Sequence, residues 1–213
     1  AARQQQIVGH IANITAEQQQ LIAEKLAATE ESTTVGDYGH VVVPLPNPPF
    51  TPAFAVMSIG YPHRIGMSQY GAYGRSKAGQ SYQQILSAYF NAQLTSNYPV
   101  MDRILVDQYG WMDFEGQYLK GIAEMPTSWG DSGGYEALKA QAILARTYAI
   151  HFTKNGQIPI CITERCQVYY HPKATDPAAA KWHQAVADTA GQVLTYQGAP
   201  IQSFYASTAG GYT

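Results

Sequence analysis

One acidic residue of this chain stands in a sequence context that favours proton transfer. Glu124 lies in the segment Gly-Ile-Ala-Glu-Met-Pro, residues 121–126, and precedes Trp129. Apolar neighbours take water away from a carboxyl group and thereby favour its uncharged, protonated form. We therefore predict that Glu124 can donate a proton near neutral pH and act as a general acid. A helix-end or salt-bridged Glu is the alternative interpretation.

Three other carboxylates are near Glu124 in the sequence, namely Asp113, Glu115 and Glu136. Any of them could be the second member of a carboxylate pair of the kind that glycosidases use. Separation along the chain does not decide which side chains meet in space, so this pairing stays open.

A glycine-punctuated segment with many hydrogen-bonding side chains contains His63, Ser68 and Gln69. We predict a loop here, in which His63 either binds a ligand or is an ordinary loop histidine with satisfied hydrogen bonds. Near the end of the chain, Ser207 and Thr208 precede adjacent glycines. Glycine lets a backbone approach a ligand closely, so this end is a second candidate binding loop.

The two cysteines, Cys161 and Cys166, are separated by four residues. The pair could close a small disulfide, join His151 or His171 around a zinc ion, or remain as free thiols. We prefer the disulfide. The sequence contains no Gly-rich phosphate loop, dinucleotide fingerprint or HExxH motif, and Ser207 lacks the context of a nucleophile elbow.

Composition limits the classes of partner. The chain has 13 Lys plus Arg against 15 Asp plus Glu, a formal net charge of -2. That balance supplies no broad positive field for a phosphate backbone, so we expect no nucleic-acid partner. No apolar run approaches the roughly 20 residues of a membrane-spanning helix, so we expect no transmembrane segment. Neutral hydrogen-bonding residues, including 16 Tyr, suit neutral ligands such as sugars.

Composition also divides the chain into three segments. Apolar residues recur at alternating spacings of three and four over residues 1–34, which predicts an amphipathic, coiled-coil-like helix. Prolines in residues 35–56 predict a semi-rigid linker. Residues 57–213 alternate short strand and helix patterns and predict a compact α+β domain. Because the chain begins without Met and ends on a Gly-rich segment, we expect a trimmed fragment that is truncated at its C-terminus.

A central helix is expected to position several polar residues of this domain. Residues 135–152 are small and apolar almost all round, which predicts a helix buried on most sides. Gln141 and Arg146 are its polar exceptions.

Two further helices and several short, antiparallel strands complete the prediction. One helix begins at Ser81, which forms a predicted capping box with Gln84 and precedes the apolar Ile85, Leu86 and Tyr89. The other contains Trp182, Ala185, Val186 and Thr189 and ends at Gly191. The predicted strands are residues 103–107, 167–170, 192–196 and 201–205, and residues 197–200 predict a hairpin between the last two.

Five sequence blocks spread over residues 57–213 are distinctive when they are taken together. They are Gly-Met-Ser-Gln-Tyr-Gly-Ala at 66–72, Tyr-Leu-Lys-Gly-Ile-Ala-Glu-Met-Pro at 118–126, Glu-Ala-Leu-Lys-Ala-Gln-Ala-Ile-Leu-Ala-Arg-Thr-Tyr-Ala at 136–149, Cys-Gln-Val-Tyr at 166–169 and Ser-Thr-Ala-Gly-Gly-Tyr-Thr at 207–213. Together they resemble the stage II sporulation protein D family, also called the amidase-enhancer family.

The resemblance implies a peptidoglycan-active domain. Family members that act in sporulation are lytic transglycosylases, which cut glycan strands lacking stem peptides. The family's catalytic Glu maps onto Glu124, which would cleave the MurNAc-GlcNAc bond and leave a 1,6-anhydro end. No cofactor and no metal are implied. Other members are named for enhancing a separate amidase, so a non-catalytic, glycan-binding enhancer of a cell-wall amidase is the alternative.

If the domain is catalytic, the other candidate residues have expected roles as well. Substrate contacts are expected from His63, Ser68, Gln69, Ser207 and Thr208, whereas Gln141 and Arg146 would order the site or, alternatively, only satisfy the core. Expected partners are peptidoglycan glycan strands and, in the alternative, a cell-wall amidase or other hydrolase. The expected localisation is secreted or cell-wall associated, outside a bacterial plasma membrane, where the Cys pair would be oxidised.

Two departures from the family pattern concern the segment around His63. Pro62 and Arg64 flank this histidine, whereas the family has Gly on both sides. The block at 66–72 precedes the other blocks here, whereas it follows them in the sporulation members. Because domain termini are often close in space, a permuted order can preserve a site. We therefore predict that the segment from His63 to Gln69 lies beside Glu124.

Overall fold

The structure is a computed structural model, and it describes residues 65–208. The helix predicted at 1–34, the linker predicted at 35–56, His63 and the last five residues lie outside the described part of the chain. The division of the chain into those segments therefore stays a prediction.

Helices and short strands alternate through the described residues, which confirms the predicted α+β class. The α-helices are α1 (Gln69–Lys77), α2 (Tyr82–Tyr89), α3 (Leu119–Gly121), α4 (Tyr135–Phe152) and α5 (Ala180–Asp188). The strands are β1 (Met67–Ser68), β2 (Gln93–Thr95), β3 (Arg103–Val106), β4 (Gly110–Asp113), β5 (Val193–Tyr196), β6 (Ala199–Pro200) and β7 (Tyr205–Ala206). A π-helix, Phe114–Tyr118, precedes α3, and 3-10 helices span Thr127–Ser132, His171–Ala174 and Pro177–Ala179.

Helix α4 is the centre of the core, with the bounds that its apolar pattern predicts. Its residues are buried almost without interruption from Ala137 to Ile150. It packs against α1, α2, α5 and β5. Alanines on several faces leave room for neighbouring elements to approach closely, so one helix can support the whole domain.

The two other predicted helices are confirmed, with one shifted boundary. The Ser81 hydroxyl accepts a hydrogen bond from Gln84 N, and the Gln84 side chain accepts one from Ser81 N, so the capping box begins α2 as predicted. Helix α5 ends at Asp188 rather than at Gly191, because Thr189 leaves the helical conformation first. Gly191 then adopts a positive φ of 67°.

The predicted strands at 103–107 and 192–196 are confirmed as β3 and β5. Strand β3 pairs with β4, and β5 lies between β2 and β6, with all these pairings antiparallel. The β5–β6 hairpin turns at Gln197 and Gly198, whose φ angles are 52° and 81°. Two consecutive positive φ angles are typical of a two-residue hairpin turn, so the turn is tighter than the predicted one at 197–200.

Two predicted strands are wrong in extent. Residues 167–170 form only a bridge, Tyr169 to Ile122, because the backbone N–H of Val168 donates to the Glu124 carboxyl group and not to a neighbouring strand. Residues 201–204 are not a strand, and only Tyr205 of the predicted range pairs, in β7.

The prediction of a glycine-punctuated loop is wrong from Met67 onward, where the chain forms a strand and then a helix. Met67 and Ser68 form β1, and Ser68 then caps α1 by accepting a hydrogen bond from Gly71 N at 3.0 Å. Gly71 lies inside this helix, where the hydroxyl of Tyr89 occupies the space that a Cβ would need. The glycine therefore serves close packing of two helices and not a loop.

A parallel pairing of β1 with β7 joins the two ends of the described chain. Met67 lies opposite Tyr205 and Ser68 lies opposite Ala206. The early block and the late block of the sequence are consequently neighbours in space.

Candidate functional site

An open cleft of about 540 Å³ lies beside Glu124. It is lined by Ala123, Glu124, Met125, Pro126, Thr127, Tyr170, Lys173, Asp176, Ala178 and Ala179. One wall is the extended segment between α3 and the 3-10 helix Thr127–Ser132. The other wall is the pair of 3-10 helices at His171–Ala174 and Pro177–Ala179.

The Glu124 carboxyl group is held in place by hydrogen bonds and raised in pKa by burial. Val168 N donates to its Oε1 at 2.6 Å, and the Gln69 side chain also hydrogen-bonds it. Burial is the largest influence on the Glu124 pKa and raises it. The two hydrogen bonds and the charge of Lys173 oppose that rise, and Glu164 adds to it. The net pKa is above the ordinary value, as a general acid requires.

A buried polar network continues from Gln69 into the core. The Gln69 amide donates to Gln141 Oε1 at 3.4 Å, and Gln141 Nε2 lies near the Tyr205 hydroxyl without a well-aligned hydrogen bond. The Tyr205 hydroxyl donates to Gln167 Oε1 at 2.7 Å, and Gln167 Nε2 donates to the Tyr118 hydroxyl at 3.2 Å. Burial raises the pKa of both tyrosines, so both stay protonated and fix the orientation of their amide partners.

Lys173 is a part of the cleft that the sequence analysis missed. Its Nζ donates to Ile122 O at 2.7 Å and lies 4.9 Å from the centroid of the Trp182 ring. Burial lowers the pKa of Lys173 to about 8, against the opposing charge of Glu124. Nothing in the local sequence distinguishes this lysine from a solvated one, because the contacts that hold it come from distant residues.

Tyr170 is the aromatic residue among the described residues that line the cleft, and 59% of it is exposed. Other rings pack on Trp129 and His171, which belong to the 3-10 helices of the two walls. Trp129 stacks on Tyr73, with centroids 4.4 Å apart, and meets Tyr70 edge-on at 5.0 Å. On the other wall, Tyr109 stacks on His171 at 4.9 Å. The exposed ring of Tyr170 suits a sugar ring, and its only sequence signal is the high tyrosine content.

The structure brings several predicted site residues together. Gln69 and Gln141 form the network that reaches Glu124. Ser68 and Ser207 come together through the β1–β7 pairing, where Tyr70 N donates to Ser207 O at 3.1 Å. Ser207 and Thr208 are exposed. The Gln69 end of the predicted segment thus lies beside Glu124, while sugar binding by these residues stays a prediction.

Arg146 lies away from the Glu124 cleft, in contacts that satisfy its whole guanidinium group. Nε and Nη2 donate to the two Glu115 carboxylate oxygens at 2.6 and 2.9 Å. The remaining N–H groups donate to Val186 O, Gln192 O and the Thr189 hydroxyl. This geometry favours core satisfaction over substrate contact, because no donor is left for a ligand.

The three carboxylates considered as partners of Glu124 are engaged elsewhere. Glu115 pairs with Arg146. Asp113 caps the π-helix by accepting from Gly116 N. Glu136 accepts from Tyr82 N and forms an ion pair with Lys139. The second carboxylate that lines the cleft is Asp176, which accepts from Ala178 N at 2.9 Å.

The structure joins Cys161 and Cys166 by a disulfide bond. The histidines of the zinc alternative have other partners: His171 bonds the Tyr169 hydroxyl, and His151 bonds Pro200 O. Within residues 65–208, no three His, Cys, Asp or Glu side chains are grouped as metal ligands. Over the same residues, no helix is both long and apolar enough to cross a membrane.

Comparison with known proteins agrees with the resemblance of the sequence blocks. Residues 107–196 match the family described as Stage II sporulation protein. The chain is 42% identical over 101 residues to the amidase enhancer of Bacillus subtilis (strain 168), covering 45% of this chain and 12% of that protein. It is 31% identical over 118 residues to the stage II sporulation protein D of Bacillus amyloliquefaciens, covering 46% of this chain and 32% of that protein.

The stage II sporulation protein D of Bacillus subtilis (strain 168) is 30% identical over 114 residues, covering 46% of this chain and 32% of that protein. The chain therefore matches less than a third of the length of each of these relatives. No solved structure matches it. The residues that match the family described as Stage II sporulation protein, 107–196, include Glu124, α4 and the disulfide, and this part of the chain is similar to stage II sporulation protein D and to the amidase enhancer.

Proposed function

We propose that this domain is a lytic transglycosylase that cleaves the MurNAc-GlcNAc bond of peptidoglycan, with Glu124 as its acid and base. The observation that carries the proposal is a partly buried carboxyl group of raised pKa, oriented by Val168 N and Gln69, at the edge of an open cleft. Similarity to relatives named amidase enhancer and stage II sporulation protein D supports a cell-wall-related role, and the disulfide suits an extracytoplasmic location.

A single carboxyl group suffices for this reaction. Protonated Glu124 gives its proton to the bridging oxygen as the bond from that oxygen to C1 of MurNAc breaks. The C6 hydroxyl of the same MurNAc then attacks C1, and its proton passes to the Glu124 carboxylate. A C1–O6 bond replaces the glycosidic bond, no water is consumed, and Glu124 regains its starting form.

The surroundings of Glu124 fit both halves of this cycle. Burial favours the protonated acid at the start. The hydrogen bonds from Val168 N and Gln69 and the charge of Lys173 stabilise the carboxylate that forms when the proton leaves. The exposed ring of Tyr170, which lines the cleft, offers a surface on which a sugar ring could stack.

The second candidate function is a glycan-binding enhancer of a cell-wall amidase. It is favoured by the 42% identity to a relative named amidase enhancer. In that case the cleft binds glycan strands, and the amide bond between MurNAc and the stem peptide is cut by a separate amidase.

Product analysis separates the two functions. Purified glycan strands, with and without stem peptides, are digested with the wild-type protein and with Glu124→Gln, and the products are identified by mass spectrometry. We expect 1,6-anhydro ends from the wild type. A loss of about 10²- to 10⁴-fold in rate is expected for Glu124→Gln, since general acid-base catalysis contributes that much.

Asp176→Asn tests whether a second carboxylate takes part. A transglycosylase should keep most of its activity in this variant, whereas an inverting hydrolase with Asp176 as base would lose it and would form reducing ends. Absence of cleavage by the wild type, with stem peptides released only when an amidase is added, would replace the proposal with the enhancer function.

A further inference from the structure

Lys173 carries the positive charge of the Glu124 cleft, and its direct partners are neutral. Among the described residues that line the cleft, it is the one Lys or Arg. Its contacts are the Ile122 carbonyl and the face of the Trp182 ring. None of the ion pairs within residues 65–208 includes it.

Such an arrangement is costly without an anion, because a partly buried ammonium group loses water that a carbonyl and a ring replace only in part. Lys173 nevertheless stays mostly protonated at neutral pH, since its pKa is about 8. An ammonium group has three N–H donors, and the Ile122 carbonyl takes one. Glu124 does not neutralise it at the start of the proposed reaction, because Glu124 must then be protonated.

The ligand class follows from the chemistry of a glycan strand. Its ionisable group is the lactyl carboxyl on C3 of MurNAc, which is a free carboxylate only where no stem peptide is attached to it as an amide. C3 belongs to the same ring as C1, the atom at which the proposed reaction occurs. A group that recognises this carboxylate must therefore share a cleft with the acid, as Lys173 does with Glu124.

We propose that Lys173 binds the lactyl carboxylate of the MurNAc residue whose glycosidic bond lies at Glu124, and that it thereby selects strands without stem peptides. The inference rests on the proposed function for the identity of the glycan, but it concerns recognition and not bond cleavage.

The test measures binding, so that it does not depend on activity. Two tetrasaccharides of alternating GlcNAc and MurNAc serve as probes, one with free lactyl carboxylates and one with lactyl carboxamides. Their affinities for the full chain carrying Glu124→Gln are measured by isothermal titration calorimetry. We expect the carboxylate probe to bind roughly 10- to 100-fold more tightly, as for a charge-assisted hydrogen bond.

Adding Lys173→Met should abolish that preference and leave the affinity for the carboxamide probe unchanged, because Met keeps an unbranched side chain against Trp182. Lys181→Met is the matched control, since Lys181 lies outside the cleft lining and faces Asp131 and Tyr135. It should keep the preference.

Equal binding of the two probes to Glu124→Gln, or a preference that survives Lys173→Met, would overturn the proposal. The first comparison needs no change at Lys173, so it stands even if Lys173→Met does not fold. An equal loss of affinity for both probes in Lys173→Met would also contradict it, and would assign Lys173 to the structure of the cleft. A carboxylate preference without cleavage by the wild type would support this inference and refute the transglycosylase function.

Discussion

At the scale of single residues, the pKa of the Glu124 carboxyl group is subject to opposing influences. Burial raises its pKa, whereas Val168 N, Gln69 and Lys173 favour its ionised form. A site of this kind keeps the acid available and still accommodates the anion that proton transfer creates. The buried amides of Gln69 and Gln141 keep that arrangement in one orientation.

The raised pKa of Glu124 has a consequence for stability. The folded protein holds this proton more tightly than the unfolded chain, in which the pKa is near the ordinary 4.5. Stability is therefore lost as pH rises from about that value through the folded-state pKa, and the loss persists at neutral pH. Gln cannot ionise, and its Oε1 can still accept from Val168 N. We expect Glu124→Gln to unfold at a higher temperature than the wild type at neutral pH.

Calorimetric melting over a pH series checks this expectation. The difference in Tm between Glu124→Gln and the wild type should close well below pH 4.5, where the wild-type carboxyl is protonated in both the folded and the unfolded state. Asp107→Asn, a change at an exposed residue that has no influence on the Glu124 pKa, is the control and should alter Tm little. A lower Tm for Glu124→Gln at neutral pH would contradict the assigned direction of the pKa.

At the scale of elements, Arg146 ties the central helix to its neighbours. Its guanidinium joins α4 to Glu115 in the π-helix, to Val186 in α5 and to Gln192 just before β5. Arg146 therefore stabilises the packing of the elements next to the cleft, although its own side chain does not line the cleft.

Arg146→Met should destabilise the protein by about 3–5 kcal/mol, the usual cost of removing one partner of a buried ion pair. Two carbonyls and a carboxylate would lose their donors, although Glu115 is partly exposed and can regain water. Urea unfolding measures the change. Lys181→Met, at an exposed ion pair with Asp131, should cost about 0–1 kcal/mol. Equal effects of the two variants would mean that the Arg146 network adds no stability.

At the scale of the whole molecule, the β1–β7 pairing closes the domain. It places the block at 66–72 beside residues 205–207. In a protein with the permuted order of blocks, these two segments would follow each other along the chain. The order of blocks along the chain can therefore change while their arrangement in space stays the same.

The β1–β7 contact leaves no room for a side chain at Gly66. Its φ is +73°, and a Cβ there would collide with the Phe204 carbonyl. We expect Gly66→Ala to cost about 1–3 kcal/mol or more in urea unfolding. Gly74, in α1, has open space around it, so Gly74→Ala should instead stabilise by about 0.5–1 kcal/mol. Similar effects of both substitutions would show that the β1–β7 contact does not restrict Gly66.

Several features of the domain could be predicted from sequence because they depend on neighbours along the chain. The apolar pattern of α4, the capping box at Ser81 and the turn after β5 are of this kind, since each is set within a few residues. The apolar flanks of Glu124 also predict the direction of its pKa shift, although the residues that oppose the shift, Val168, Gln69 and Lys173, come from distant parts of the chain.

The tertiary structure decided what depends on residues far apart in the chain. It placed Lys173 in the cleft, formed the ion pair between Arg146 and Glu115, and paired β1 with β7 in parallel. It also turned the expected loop at Ser68 into the start of a helix. The physical reason is that a side chain's partners depend on the path of the whole chain, which local propensity and spacing do not encode.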